Sequence, residues 1–167
     1  MWRVVTMETI RGEALPSVPA LDVRPATQSL LNSPVWTLKG VISNLRYTEK
    51  QEKESLVAIQ ENLGRPAATC AALIPMRKSE AWWNLAQDER RAIFEKKSQH
   101  TQTGLKYLPA IARKLYHCRD LGEPFDFLTW FEYAPEHSNA FEDLVKRLRE
   151  TEEWTYVDRE IDIRLER

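Results

Sequence analysis

Two runs, IARKLYHC (Ile111–Cys118) and FDFLTWFEY (Phe125–Tyr133), flank the turn-like stretch RDLGEP. Aromatic and β-branched residues on both sides of a Gly- and Pro-containing turn predict a β-hairpin. A lone hairpin is marginal in water, so it needs further strands and a cover for its apolar face. Both follow in the sequence. In AFEDLVKRLRE, Phe141, Leu144, Val145 and Leu148 fall at i, i+3, i+4 and i+7, the stripe of an amphipathic helix. The final run, VDREIDIRLE, places Val157, Ile161, Ile163 and Leu165 on one face and Asp158, Glu160, Asp162 and Arg164 on the other, which predicts a strand.

Upstream of the hairpin, ATCAALIPMRK (Ala68–Lys78) is a short apolar strand. AQDERRAIFEKK (Ala86–Lys97) carries acids early and bases late, as a helix dipole favours. From Ala68 onward the order is strand, helix, strand, strand, helix, strand, the ferredoxin-like order of an α+β domain. Arg65-Pro66 marks the boundary before it. Ahead of that boundary, VWTLKGVISNLRY (Val35–Tyr47) reads as a strand interrupted only by Gly40. Thr48 caps a helix in which Leu56, Ile59 and Leu63 share a face and Gly64 ends it. This strand and helix (35–66) look like part of a second, shortened copy of the unit in 67–167. Residues 1–34 contain four prolines and no sustained periodicity, and read as an irregular arm.

Composition narrows the function. Lys and Arg (24) nearly cancel Asp and Glu (25), so no bulk field favours nucleic acid or an anionic membrane. No window is apolar over a membrane-spanning length, and MWRVVTMETIRGEALP lacks the core of a secretory signal. Cys70 and Cys118 are too few for a disulfide framework, which points to free thiols in a reducing compartment and a cytoplasmic protein. Six tryptophans call for either a core or a flat ligand to cover them.

No GxGxxG, GxxxxGK, CxxC or HExxH motif is present. What remains is a scattered set of basic, acidic and aromatic residues. His100 follows a charged helix, where position alone reads as a solvated histidine at a helix C-terminus rather than a ligand. Arg113 shares a strand side with Ile111, Leu115 and His117. A guanidinium there either reaches a carboxylate at the sheet edge or forms an anion site in an apolar pocket. Lys78 closes a strand just before Trp82 and Trp83, an arrangement that suits an aromatic ligand bearing carboxylates and equally suits core packing. Glu152 and Glu153 close a helix C-terminus that the dipole disfavours for acids, so each is exposed or has a partner elsewhere. His117 reads as a packed or edge histidine and His137 as a surface or capping one.

The run from Ile74 to Glu136, with its K-x3-WW…H-x12-R pattern, resembles the chlorite dismutases, most closely a short dimeric form with a truncated N-terminal half. The likeness extends over Val35–Arg167. It implies a dimeric α+β barrel of ferredoxin-like halves holding haem b (iron protoporphyrin IX). His100 then matches the proximal iron ligand and Arg113 the distal arginine. Glu153 corresponds to the acceptor of the histidine's other N–H, Lys78 to a propionate contact and Trp82 to the tryptophan beside the porphyrin. Asn44 and Tyr47 correspond to further propionate contacts, and Trp83 lies nearer the subunit interface. The implied reaction turns chlorite into chloride and dioxygen through a ferryl and hypochlorite pair that recombines with O–O bond formation. Arg113 would retain the hypochlorite.

Two alternatives share this fold. Coproheme decarboxylases of one major group carry a tyrosine before Pro-Met and a glutamine at the distal position, where this chain has Ile74 and Arg113. A haem carrier or sensor without turnover is the other.

Overall fold

The computed structural model describes residues 1–29, 33–42, 63–97, 107 and 110–167. The helix expected over residues 48–64 lies outside them, apart from its last two residues, and so does the end of the strand expected over Val35–Tyr47. Among the described residues seven strands form one antiparallel sheet: β1 (Trp2–Arg11), β2 (Ala20–Leu21), β3 (Val41–Ile42), β4 (Cys70–Lys78), β5 (Ile111–His117), β6 (Phe127–Tyr133) and β7 (Val157–Glu166), in the order β2-β1-β7-β4-β6-β5-β3. Its central part, β7-β4-β6-β5, has the ferredoxin-like order expected of the C-terminal elements. The α-helices among the described residues are α1 (Glu80–Trp83), α2 (Gln87–Arg91), which runs on into a π-helical turn over Ala92–Lys97, and α3 (Ser138–Arg149). Among the described residues no helix is long and apolar enough to cross a membrane.

Register divides the sheet into two apolar faces. On one, Ala72, Phe131 and Arg113 form a row across β4, β6 and β5, followed by Ile74, Thr129 and Leu115, then Met76, Phe127 and His117. Helix α3 lays Phe141, Leu144, Val145 and Leu148 on this face, where they pack with Ala72, Ile74, Phe131 and Tyr133. Burial of each such side chain contributes on the order of 1.5–3 kcal/mol, which is why the predicted stripe becomes a helix here. On the opposite face Trp2, Leu21, Ala71, Leu128, Trp130, Ile161 and Ile163 make a second core.

Three local expectations change. Residues 2–11, expected to be irregular, form β1 along β7. Register shifts at Val4/Thr6 and Thr9/Arg11 break the alternation of β1, so Val4 and Met7 reach the same core although three residues apart. In β7, Asp158 is an extra residue opposite the step from Arg77 to Lys78. Val157 therefore joins the α3 side, while Ile161, Ile163 and Leu165 join the other. The third change concerns Val35–Tyr47, where the described strand is only Val41–Ile42, on Tyr116 and His117. Gly40 precedes it because a Cβ there would meet the Tyr116 Cβ at 2.8 Å.

The polar side of β7 is not a solvated surface. Glu160 and Asp162 are buried. Arg149 of α3 reaches both, with Nε 2.9 Å from Glu160 and Nη2 2.9 Å from Asp162. Trp154 Nε1 donates to Glu160 (3.2 Å), and Arg164 pairs with Asp162 and Glu142. Burial acts to raise the Asp162 pKa, but Arg164 and Arg149 outweigh it and hold the carboxyl below its usual range. A depressed carboxyl contributes stability above its unfolded pKa of about 3.9 and loses it as pH falls through the folded value. Urea titrations between pH 6 and 2 are therefore expected to show a steep loss below about pH 4 that is shallower in Asp162→Asn. At pH 7, Arg149→Ala should cost about 3 kcal/mol by leaving two buried carboxylates short of their donor.

Candidate active site

The apolar face opposite the end of α3 ends in charge. Lys78, the last residue of β4, is buried and points from the same face as Met76. Its ammonium lies 2.6 Å from Oε1 of Glu153, in the 3-10 turn Glu152–Tyr156 that links α3 to β7. Both side chains are almost fully enclosed, at 4% and 3% exposure, so this pair is a buried one. The ammonium also sits 3.6 Å from the centroid of the Trp82 ring, itself fully buried in α1 and packed on Tyr156. Burial pushes the Lys78 pKa down from the ordinary lysine range, and the charge and hydrogen bond of Glu153 push it back up. Glu153 and the Trp82 ring are what keep an ammonium tolerable in this place.

Arg113 occupies the middle of β5 opposite Phe131, in the row that begins with Ala72. Burial lowers its pKa from the usual arginine value, and the charge of Glu153 opposes that shift. Arginine remains a cation under such pressure. The Glu153 carboxylate is thus bonded to Lys78 and also acts electrostatically on Arg113. One apolar sheet face therefore carries two cations and an acid, with Lys78 at the end of β4 against Trp82 and Arg113 in the middle of β5.

His117 is buried edge-on to Phe127, with ring centroids 5.5 Å apart. Its Nδ1 is 3.8 Å from Asp120. It lies two rows from Arg113 on the same strand side, as expected of a packed residue. Cys118 is fully buried, its thiol donates to the Phe125 carbonyl (3.0 Å), and burial raises its pKa to about 12, so it is no nucleophile. Among the described residues no group of three or more His, Cys, Asp or Glu side chains could hold a metal ion.

A family model for chlorite dismutase matches residues 23–165. The chain belongs to the chlorite dismutase family. A chlorite dismutase of Ideonella dechloratans is 30% identical over 143 residues, covering 81% of this chain and 46% of its own length. The crystal structure of a dimeric chlorite dismutase from Nitrobacter winogradskyi superposes with a TM-score of 0.92 at 60% identity, over 99% of this chain and 94% of that one. Chlorite dismutase from Candidatus Nitrospira defluvii, solved in complex with imidazole, gives 0.61 at 30% identity, over 77% of this chain and 53% of that one. The chain thus spans about half the length of the Ideonella and Nitrospira relatives and nearly all of the Nitrobacter one. Chlorite dismutases are in general haem-dependent, and the fold here is the family's α+β fold with a curled antiparallel sheet.

Of the residues singled out in the sequence, the structure brings Lys78, Trp82 and Glu153 into contact and places Arg113 within electrostatic reach of Glu153. His100, Asn44 and Tyr47 lie outside the described residues. The Lys78 ammonium is held by Glu153 and faces the Trp82 ring. Trp83 is half-buried and stacked on Phe127, with its Nε1 3.2 Å from Asp126. Asp126 was not singled out in the sequence. Its signal there was an acid between two phenylalanines at the start of a strand.

The buried pair predicts a specific stability pattern. Glu153→Leu should cost about 3–5 kcal/mol by stranding the Lys78 ammonium. The double variant Lys78→Met/Glu153→Leu should recover most of that loss in urea denaturation of the haem-free protein. A double variant no more stable than the single one would show that the pair is not the source of the cost.

Proposed function

We propose that this chain is a haem b-dependent chlorite dismutase that converts chlorite to chloride and dioxygen as a homodimer, with residues 67–167 carrying the haem site and 35–66 a truncated second half. The observation that carries the reading is Arg113, a cation set into an apolar sheet face beside a buried carboxylate. Family membership and the length match to the dimeric Nitrobacter relative support it.

The residues present fit the cofactor. Haem needs apolar walls, a nitrogen ligand for iron and an acceptor for that ligand's other N–H. Leu115 and Trp82 would supply the first. His100 would hold the iron, and Glu153 is the carboxylate suited to accept the imidazole N–H. Asn44 and Tyr47 are assigned to the propionates. When bound, haem supplies the redox chemistry that moves both oxygens of chlorite into dioxygen.

The protein's own task is electrostatic. Chlorite is a small anion, and a guanidinium in an apolar surround attracts it more strongly than the same group in water would. Arg113 therefore draws chlorite in and holds the negatively charged chlorine species close by until dioxygen has formed. Surrounding side chains such as Phe131 and Leu115 exclude water and offer no proton, which limits side reactions. Glu153 makes the histidine a stronger donor, and Lys78 moderates that effect by sharing the carboxylate's charge.

An oxygen electrode tests the assignment directly. Chlorite added to haem-loaded protein should release dioxygen fast and stoichiometrically; bound haem without dioxygen would overturn the dismutase and leave a carrier or sensor. His100→Ala should lose haem affinity while His117→Ala keeps a normal haem spectrum, and the reverse would reassign the ligand. Arg113→Ala should keep haem but release several-fold more trappable hypochlorite and bleach after fewer turnovers. Trapping equal to wild type would remove Arg113 from the anion-holding role.

A further inference from the structure

Lys78 is held at both ends, and only its head has so far been accounted for. Its side chain crosses the Trp82 face to Glu153, but its direction is set by a backbone that lacks ordinary support. Opposite the Arg77–Lys78 step, β7 carries the extra residue Asp158, so the ladder is irregular where Lys78 leaves the sheet. The Lys78 backbone N–H finds its acceptor elsewhere, in Oδ2 of Asp126 at 2.8 Å.

Asp126 is well placed for this. It is buried, and its main chain ties three strand ends together. Its N–H donates to the Met76 carbonyl (2.9 Å), and its carbonyl accepts from the N–H groups of Cys118 (2.9 Å) and Arg119 (3.3 Å). The same Oδ2 that receives Lys78 also receives Trp83 Nε1 at 3.2 Å. Arg119 Nε lies 3.6 Å from Oδ1, and its guanidinium carbon sits 4.0 Å from the Trp83 ring centroid. The carboxylate is therefore fixed from several sides, as a group that must hold another in place should be. A side chain with four rotatable bonds keeps a 2.6 Å contact at its tip more readily when its base is fixed.

We infer that Asp126 is a positioning residue of this site: by holding the Lys78 backbone at the end of β4, it aims the ammonium at Glu153 and so sets how much of the Glu153 charge is left for an iron-bound histidine. The effect on the iron passes through Lys78, and Asp126 itself touches neither cofactor nor substrate. Trp83 and Arg119 are the outer clasp that keeps Asp126 in position. This inference rests on the haem-enzyme reading above.

The test is a double-mutant cycle read as the ferric/ferrous midpoint potential of haem-loaded protein. Asp126→Ala should shift the potential in the same direction as Lys78→Met, and should add no further shift in a Lys78→Met background. Asp126→Asn, which retains an oxygen acceptor for the Lys78 N–H, should return the wild-type potential. An unshifted Asp126→Ala, or the same shift with and without Lys78, would overturn the inference. Should Asp126→Ala fail to fold, Asp126→Glu, whose longer arm misplaces the acceptor, takes its place in the cycle with the same expected outcomes. A haem-free arm separates this idea from the reading beneath it. In the apoprotein, hydrogen exchange at the Lys78 amide should speed up at least tenfold in Asp126→Ala or Asp126→Glu relative to the Leu73 amide. If the protein takes up no haem but this change is seen, the cofactor reading fails while the hold of Asp126 on Lys78 stands. Unchanged exchange overturns that hold whether or not haem binds.

Discussion

A lysine and a glutamate buried against each other are a costly thing to place in a protein of this size. Burial disfavours the charged form of each partner, and the desolvation of two ions is hard to recover from a single contact. The surrounding structure can be understood as the means of making that contact affordable. Trp82 offers its ring face to the ammonium, the 3-10 turn after α3 delivers the carboxylate, and Asp126 secures the lysine's backbone. The two partners come from segments 75 residues apart in sequence. Docking of α3 on the sheet is therefore a precondition for the pair, because α3 leads directly into the turn that bears Glu153. Core packing and site electrostatics are in this sense one construction.

The same helix serves a second set of charges. Arg149 near its end satisfies Glu160 and Asp162 on β7, while its apolar stripe covers β4 and β6. One sheet face thus carries an ion network at one side, an apolar middle, and Arg113 toward the other side. Paired charge under α3 supports the fold. The Arg113 guanidinium lies instead on β5, in a row with Phe131 and Ala72, where burial and the charge of Glu153 act on it in opposite directions. The contrast lies in how each arginine is surrounded rather than in the residue type.

Much of the fold was legible because periodicity and burial coincide in β4, β5, β6 and α3. The hairpin around RDLGEP and the stripe Phe141, Leu144, Val145, Leu148 form as their spacing predicts. Legibility failed where a strand departs from its own period. Val4 and Met7 share a core three residues apart because β1 shifts register, and no alternation survives to be seen. Val157 changes sides for the same reason at Asp158. For the site, residue types singled out Arg113, Lys78 and Trp82 without deciding their roles and left Glu152 and Glu153 undivided, and the family likeness pointed to Glu153; only the folded structure joins Lys78 to Glu153 across the intervening chain. Asp126 was hidden because a carboxylate that bonds a backbone amide leaves no pattern of its own in a sequence. The iron-ligand role of His100 came through the family likeness and rests there.

The extra residue in β7 has a consequence for how this sheet can vary. At Asp158 the strand exchanges its two faces, so residues before and after it answer to different cores. A segment borrowed from a relative without that irregularity would arrive with its inward and outward sides reversed on one side of the junction. Lys78 and the bulge opposite it must therefore be inherited together, along with the acid that replaces the missing ladder support. The end of β4 and the start of β7 form a unit of exchange, and a recombination breakpoint between them separates parts that work only as a set.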